Sequence, residues 1–316
     1  MIDFLLLIGG SFALVFGADK LIDGAACFAK RLHIPSIVIG LTIVSFGTSA
    51  PEFVVNLFAS FDGNSEIVLG NILGSNISNI LLILGISAII YPLSVKKQTT
   101  WIEIPLSALA AVAVFVLASD MLLDKAAQSS ISHIDGYILL LFFLIFIAYN
   151  ISLTITNKTE EDIETKDYSM LVSTLYIFLG LVLLAAGGKA IVYGASNIAE
   201  AFGISQRVIG IAIVGIGTSL PELATSIVAA RNKKTDIAIG NIVGSNIFNT
   251  FFVLGTSATI STIQVSSAAI YDIYFNIFSS ILLFTLLFVG KNHILSRKAG
   301  ILMLGLFIGY MVFVIL

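Results

Sequence analysis

The sequence predicts an all-α polytopic membrane protein, with ten transmembrane helices arranged as two inverted-topology five-helix repeats. The composition is the first reason: of 316 residues, 58% are hydrophobic and only 11% are charged, and the mean hydropathy is +1.04. Soluble proteins carry about 25% charged residues, so this chain lacks the groups that would cover a soluble surface. The other two reasons are a series of apolar stretches long enough to span a bilayer and an internal duplication.

Ten apolar stretches divide the chain, and each is expected to be a helix because lipid cannot satisfy the hydrogen bonds of an open strand edge. The first stretch lacks the basic flank of a cleavable signal peptide and is therefore predicted to be retained as a span. The approximate ranges of the stretches are 4–29, 36–59, 66–91, 102–119, 136–155, 169–198, 207–230, 237–260, 270–290 and 299–316.

The basic residues of the connections are distributed unequally, which predicts the orientation. Only Lys125 and Arg207 fall on one side, while Lys20 and Lys189 lie within helix ends. The other side receives Lys30, Arg31, Lys96, Lys97, Lys158, Lys166, Arg231, Lys233, Lys234, Lys291, Arg297 and Lys298. Because basic connections remain in the cytoplasm, both termini are expected to be extracytoplasmic.

A short acidic stretch separates the two halves of the chain. Residues 156–168 are expected to form a cytoplasmic linker, which lacks the ligand spacing of an EF-hand calcium loop. The first repeat then covers residues 1–155, and the second covers residues 169–316.

The two halves match without a gap at an offset of 170 residues. The first motif region, 38–79, contains VIGLTIVSFGTSAPE and GNILGSNISN; the second, 208–249, contains VIGIAIVGIGTSLPE and GNIVGSNIFN. Because each half has an odd number of spans, the second half enters the membrane from the opposite side. Inverted repeats of this kind are typical of secondary transporters.

The GTSAPE and GTSLPE motifs interrupt apolar spans with groups that could bind a cation. Pro51 and Pro221 have no N–H, so a carbonyl about four residues upstream loses its helical donor. Such carbonyls are tolerated at membrane depth where they line a cavity. Glu52 and Glu222 add one carboxylate each, and a carboxylate inside a membrane span is functional by default. We therefore expect the two carboxylates to meet halfway through the bilayer.

Hydroxyl and amide side chains complete the predicted site. Ser75 and Asn79 lie four residues apart and so on one helix face, and Ser245 and Asn249 repeat this arrangement. The alternative for these four is that they only pack helices together. The hydroxyls of the GTSxPE motifs belong to Thr48, Ser49, Thr218 and Ser219.

The predicted ligands are all oxygen atoms, which suit calcium, magnesium and sodium better than zinc or copper. Calcium accepts six to eight oxygens in irregular geometry, whereas magnesium gives up its water reluctantly. Sodium has a similar radius to calcium and half its charge, so it could compete for the same oxygens. Ca²⁺ and Na⁺ are therefore the expected ions.

Other conspicuous residues of the motifs are interpreted as packing groups. Asn76 and Asn246 point to another helix face, where hydrogen bonds between helices are expected. Close helix packing is expected at the motif glycines Gly70, Gly74, Gly240 and Gly244.

With these motifs the chain resembles the sodium/calcium exchanger family of the cation/calcium antiporter superfamily, particularly its small prokaryotic inner-membrane members. The resemblance rests on GTSAPE with GNILGSNISN and GTSLPE with GNIVGSNIFN, and it covers essentially the whole chain. It implies that helices 2, 3, 7 and 8 form a core around the ions, while helices 1 and 6 slide across that core. It also implies Ca²⁺ and Na⁺ as substrates in a lipid bilayer, with no cofactor and no obligatory protein partner.

Position by position, the resemblance implies that Glu52 and Glu222 ligate calcium together with the backbone carbonyls of Thr48 and Thr218. Two residues would flank this centre: Asn79 and Asn249.

The resemblance also implies outlying sodium sites on either side. The carbonyls of Ser45 and Gly215 would complete them. One would use the hydroxyl residues Thr48, Ser49 and Ser75, and the other Thr218, Ser219 and Ser245.

These observations predict an electrogenic antiporter that exports Ca²⁺ from the cytoplasm in exchange for Na⁺. Asn249 stands where several archaeal and potassium-dependent relatives have Asp, which predicts no potassium requirement. A potassium-dependent exchanger stays an alternative. So does an antiporter of Ca²⁺, or another divalent cation, against H⁺, because Glu52 and Glu222 could also carry protons. The GNxxE pattern of the proton-coupled branch is missing from this sequence.

Composition and motifs argue against other classes of protein. A net charge of −3 provides no basic surface for nucleic acid, and the single Cys27 excludes an internal disulfide. An intramembrane hydrolase that uses the two carboxylates as acid and base is disfavoured by the duplication and by the carbonyl-rich helix breaks. A passive channel is disfavoured because the sequence has no ring-like filter motif.

Overall fold

The predicted helical, membrane-spanning class is confirmed. The computed structural model describes residues 2–123, 125–156, 168–203, 215–289 and 293–315. Within these ranges, eight helices are long and apolar enough to cross a membrane, or nine if Ser36–Thr48 and Ala50–Phe61, bent by 49°, form one span. Part of the predicted span 207–230 and almost all of the predicted linker 156–168 lie outside the described residues.

Most of the helices begin and end within a few residues of the predicted spans. They are α1 (Ile2–Leu32), α2 (Ser36–Thr48), α3 (Ala50–Phe61), α4 (Ser65–Ile90), α5 (Lys97–Leu117, irregular at Ile102), α6 (Asp120–Leu123), α7 (His133–Thr156), α8 (Met170–Ala201), α9 (Gly215–Gly217), α10 (Leu220–Arg231), α11 (Thr235–Ile260), α12 (Ser267–Val289) and α13 (Arg297–Ile315).

Within the part of the chain that the structure describes, three helices contain π-helical segments: Gly40–Val44 in α2, Asn79–Leu84 in α4 and Phe248–Leu254 in α11. Segments of this kind are rare and occur frequently at functional sites. Asn79 begins the second segment, and Asn249 lies within the third. Apolar periodicity does not predict them.

The described residues also contain four strands of two residues each, the exceptions to an otherwise helical structure. β1 (Leu93–Ser94) pairs with β4 (Ile294–Leu295), and β2 (Ser130–Ile131) pairs with β3 (Ile263–Gln264), both antiparallel. The strands lie in connections between helices, where water can satisfy a strand edge and the argument against strands in lipid does not apply. They tie connections of the first half of the chain to those of the second.

The helices α4 and α11, which carry the repeated GSN motifs, run in opposite directions. Just after α4, Lys96 Nζ lies 2.8 Å from Asp236 Oδ2 in the first turn of α11. Just after α11, the Gln264 N–H donates to Ser65 Oγ at the start of α4, at 3.0 Å. Each end of α4 therefore lies beside the opposite end of α11.

These two helices also form the centre of the protein. In their most apolar membrane-length windows, 78% of the α4 residues and 94% of the α11 residues are buried, against 22–39% in the other candidate single spans. The remaining long helices expose most residues of these windows on the outside of the protein. The interior is therefore lined mainly by α4 and α11.

The long helices α1 and α8 pack antiparallel along glycines spaced seven residues apart. A Cβ built on Gly10 would lie 2.8 Å from the carbonyl oxygen of Gly187, and one on Gly17 would lie 3.0 Å from that of Gly180. Only residues without a side chain allow two backbones to come this close, a common packing mode of membrane helices.

Gly17 and Gly9 on α1 provide a matched test of this packing. A Cβ at Gly17 would also lie 2.8 Å from Leu183 Cβ, whereas one at Gly9 has no described atom within 4 Å. We expect Gly17→Ala to destabilise the protein by about 1–3 kcal/mol through overpacking, and Gly9→Ala to be neutral or slightly stabilising. Thermal unfolding in detergent measures both, and equal midpoints would contradict the packing described.

Candidate cation site

The two GTSxPE motifs break their helices in the same way. Ser49 has φ −84° and ψ 7°, Ser219 has φ −86° and ψ 7°, and in each case a proline lies in the first turn of the next helix. Proline is tolerated there because its missing N–H is not needed, yet it denies a donor to the preceding turn. The new helices place Glu52 and Glu222 in their first turns, where the helix dipole favours negative charge.

Glu52 and Glu222 are fully buried, and each is held by a serine of the opposite motif. Ser49 Oγ donates to Glu222 Oε1 at 2.7 Å, and Ser219 Oγ donates to Glu52 Oε1 at 3.3 Å. Ser75 Oγ contacts the same Glu52 oxygen at 3.5 Å and Ser219 Oγ at 3.3 Å. The crossed bonds bring the two acids together inside the protein, facing away from lipid.

Four buried oxygens of the predicted site residues have no hydrogen-bond partner among the described residues. They are Glu52 Oε2, Glu222 Oε2, Asn79 Oδ1 and Asn249 Oδ1. Leaving a buried polar atom unsatisfied costs about 1–3 kcal/mol, and more for a charged group. Two carboxylates and two amide oxygens in this condition are suitable ligands for a hard cation.

Hydrogen bonds between α4 and α11 orient the amides of the site. Asn79 Nδ2 donates to Asn246 Oδ1 at 2.9 Å, and Asn249 Nδ2 donates to Asn76 Oδ1 at 3.3 Å. Asn76 Nδ2 in turn donates to Thr250 Oγ1 at 3.0 Å. The predicted role of Asn76 and Asn246 in hydrogen bonding between helices is confirmed, and these bonds occupy the amide nitrogens rather than the unpartnered oxygens.

Sequence reasoning missed two asparagines that support the site. Asn71 Nδ2 donates to the backbone carbonyl of Glu52 at 3.2 Å, and Asn241 Nδ2 donates to that of Glu222 at 3.4 Å. Asn241 Oδ1 also accepts from Thr48 Oγ1 at 3.1 Å. The available signal was their duplication at the 170-residue offset, one residue after the glycine that opens each GSN-containing block.

The remaining predicted residues differ in their surroundings. The Ser45 carbonyl accepts from Ser49 N at 2.9 Å, from Thr48 Oγ1 at 3.3 Å and from Ser245 Oγ at 3.5 Å. The Thr48 and Ser245 side chains also interact with the Glu222 carboxylate. Gly215 is the first residue of α9 and follows a stretch outside the described residues.

A cavity of about 510 Å³ borders the site on one side and is walled by Gly70, Gly74 and Thr218. Asp272 and Tyr310 line its wall as well, and Tyr310 Oη donates to Asp272 Oδ1 at 2.8 Å. Thr218, unlike the buried Thr48, therefore borders open space.

Among the described residues, which leave out 204–214, no atom lies within 4 Å of a Cβ added at Gly70 or Gly74, so the expected close packing is not seen there. The expectation is confirmed for Gly240 and Gly244. Within the described residues, α2 covers the glycine face of α11, whereas the corresponding face of α4 borders the cavity, and most of the segment equivalent to α2 lies outside the described residues.

The described residues contain no group of three or more His, Cys, Asp or Glu that could hold a metal ion. A cation bound between Glu52 and Glu222 would therefore depend on neutral oxygens of hydroxyls, amides and carbonyls. Hard cations such as Ca²⁺ and Na⁺ accept these ligands.

Known proteins resemble this chain over its whole length. A family model described as "Sodium/calcium exchanger protein" matches residues 2–152 and 172–316. "Inner membrane protein YrbG" of Escherichia coli (strain K12) is 35% identical over 312 residues, which cover 96% of this chain and 94% of that protein. "Sodium/calcium exchanger MaX1" of Methanosarcina acetivorans is 29% identical over an alignment of 343 residues, gaps included. This alignment covers 98% of this chain and 98% of that protein.

A third relative and a solved structure extend the comparison. "Ca(2+)/H(+) antiporter ChaA" of Bacillus subtilis (strain 168) is 29% identical over 229 residues, which cover 68% of this chain and 64% of that protein. A structure of the sodium-calcium exchanger NCX_Mj, soaked with Na⁺ and Sr²⁺, superposes with a TM-score of 0.84 at 30% identity and covers 99% of this chain and 98% of its own.

Proposed function

Because the chain belongs to the sodium/calcium exchanger family, we propose that it is a secondary active antiporter that exports Ca²⁺ from the cytoplasm in exchange for Na⁺. The observation that carries this proposal is the buried pair of Glu52 and Glu222, each with one oxygen that has no hydrogen-bond partner among the described residues. Two carboxylates balance one Ca²⁺ or two Na⁺, and Ca²⁺ tolerates an irregular set of oxygens. Because both ions need the same oxygens, occupancy by one excludes the other, and this exclusion is the physical basis of exchange.

We assign Ca²⁺ to the space between Glu52 and Glu222, with the carbonyls of Thr48 and Thr218 as further ligands. The unpartnered amide oxygens support a flanking role for Asn79 and Asn249.

We assign Na⁺ to positions on either side of this centre, with the carbonyls of Ser45 and Gly215 as ligands. The hydrogen bonds of Ser75 and Ser219 to Glu52 support this assignment, as does that of Ser49 to Glu222. The full set of proposed hydroxyl ligands is Thr48, Ser49, Ser75, Thr218, Ser219 and Ser245.

Alternating access follows from a pair of inverted repeats, one of five helices in 1–155 and one in 169–316, which together make ten spans. The opposite directions of α4 and α11 support this arrangement. So does the contrast between an open cavity at Gly74 and tight packing at Gly244. We propose that the protein lies in the inner membrane with its basic connections in the cytoplasm. Both termini and the cavity then face the outer side of that membrane.

Sodium coupling can be tested in inside-out vesicles loaded with Na⁺ and diluted into sodium-free buffer containing radioactive Ca²⁺. We expect Ca²⁺ uptake that persists with a protonophore present and accelerates when the vesicle interior is made positive, because several Na⁺ leave for each Ca²⁺. The second candidate, Ca²⁺/H⁺ exchange, is favoured by the similarity to the Bacillus protein. Uptake that follows a pH gradient and stops with the protonophore would establish that candidate instead.

Potassium independence is a separate prediction from the neutral side chain of Asn249. An amide adds no negative charge to the pair of carboxylates, so the site has no third charge for K⁺ to balance. We expect the same vesicles to take up Ca²⁺ at similar rates whether the medium contains K⁺ or choline. A difference below about twofold corresponds to well under 1.4 kcal/mol, which is less than the loss of a bound ion would cost. Transport that collapses without K⁺ would contradict this assignment.

A further inference from the structure

Glu103 is a buried carboxylate that the proposed exchange site does not use. Its side chain in α5 is fully buried, Tyr149 Oη donates a hydrogen bond to its Oε1, and its Oε2 has no partner among the described residues. The Thr99 side chain interacts with the same carboxylate, and Gln98 Nε2 donates to the tyrosine hydroxyl at 3.4 Å. A carboxylate in a membrane span is costly, which points to a function for Glu103.

Glu103 lies beside a second acidic residue at one end of the core. Asp236, in the first turn of α11, acts on it electrostatically and forms an ion pair with Lys96. This end carries the tightly packed Gly240, whose added Cβ would lie 2.9 Å from the Ile37 carbonyl oxygen. It is the end of α11 opposite to the one that meets the start of α4.

The open cavity at the other end has a closely related set of groups. Asp272 on its wall is hydrogen-bonded to Tyr310, as Glu103 is to its own tyrosine. Glu66 on the same wall corresponds to Asp236 at the offset of 170 residues, and Asp272 lies one residue before the position that corresponds to Glu103. Asp272 and Glu66 thus border open space, while in the other pair Glu103 is buried and Asp236 is partly exposed.

We propose that Glu103 and Asp236 form a cation-attracting site on the cytoplasmic approach to the exchange site, and that the buried Glu103 becomes exposed when the core opens toward that side. The proposal rests on the exchange function proposed above. A sealed carboxylate with an unpaired oxygen gains a partner when water and hydrated Ca²⁺ or Na⁺ reach it, which lowers the cost of opening that end. Because Lys96 balances Asp236, Glu103 supplies the unbalanced negative charge at this end, and such a charge raises the local concentration of cations and their rate of entry.

The test is the KM for Ca²⁺ measured separately at each face, in inside-out and right-side-out vesicles. We expect Glu103→Gln to raise the KM at the cytoplasmic face about fivefold, a modest loss for a charge that steers ions, and to leave the KM at the outer face unchanged. Asp272→Asn, the matched variant in the open cavity, should raise only the outer KM. Both shifts should shrink as choline chloride raises the ionic strength, because screening weakens steering.

Several readouts separate this role from a structural one. Loss of folded protein lowers Vmax at both faces but moves neither KM, so a poorly folding variant still reports. Tyr149→Phe, which removes one hydrogen bond and keeps the charge, should leave most of the cytoplasmic affinity intact. A Glu103→Gln variant with equal KM shifts at both faces, or with none, would overturn the proposal. Absence of sodium-driven Ca²⁺ uptake by the unaltered protein would instead refute the exchange function.

Discussion

Replacing either buried carboxylate of the exchange site, by Glu52→Gln or Glu222→Gln, should lower sodium-dependent Ca²⁺ transport at least about a hundredfold. Removing one member of a buried charged group costs about 3–5 kcal/mol, and 1.4 kcal/mol is a factor of ten in an equilibrium constant. The remaining carboxylate would face Ca²⁺ with half the balancing charge. An amide would also bring two N–H donors into a cluster whose serines already donate to the carboxylate oxygens.

The measurement is sodium-driven uptake of radioactive Ca²⁺ by vesicles that contain equal amounts of each purified variant. Glu200→Gln is a matched control because it makes the same chemical change at an exposed residue near the end of α8, and it should keep full exchange. A thermal unfolding midpoint for each variant shows whether a silent protein is folded. Undiminished exchange in both Glu52→Gln and Glu222→Gln would refute the assigned site.

The duplication made much of the site predictable from sequence. Glu52 and Glu222 each follow a GTS tripeptide and a proline in an apolar span, so their burial and their meeting at one depth follow from helix geometry and membrane cost. The partners of their oxygens do not follow in the same way. Ser75 contacts Ser219 from the opposite repeat, a pairing that depends on how the two halves cross.

Single residues and conformational asymmetry were beyond reach of the same reasoning. Glu103 is not matched by an acid at the exact repeat offset, so duplication does not reveal it, and its partner Tyr149 is 46 residues away. Gly74 and Gly244 occupy equivalent positions in nearly identical motifs, yet one borders a cavity and the other is tightly packed. A sequence with two similar halves does not specify which half is open in a given state.

That asymmetry leads to the second large effect, at the paired glycines. A Cβ on Gly244 would lie 2.7 Å from both Leu41 Cα and Ser45 Oγ, whereas one on Gly74 meets no described atom within 4 Å. Gly244→Ala should therefore penalise the conformation described here by about 1–3 kcal/mol. If the repeats exchange roles during transport, Gly74→Ala should penalise the opposite conformation by a similar amount.

Both substitutions should then slow exchange, about tenfold for a penalty near 1.4 kcal/mol, but they should shift the conformational equilibrium in opposite directions. Two repeat-related isoleucines can report this shift: Ile67 lines the cavity and is 47% exposed, and Ile237 is 1% exposed. Single Ile67→Cys and Ile237→Cys reporters, each in a Cys27→Ser background, can be labelled with a membrane-impermeant thiol reagent applied to one face at a time. Gly244→Ala should increase labelling of the Ile237→Cys reporter from the cytoplasm and decrease labelling of the Ile67→Cys reporter from outside. Gly74→Ala should do the reverse, and shifts in the same direction would mean that these glycines only pack helices and do not alternate.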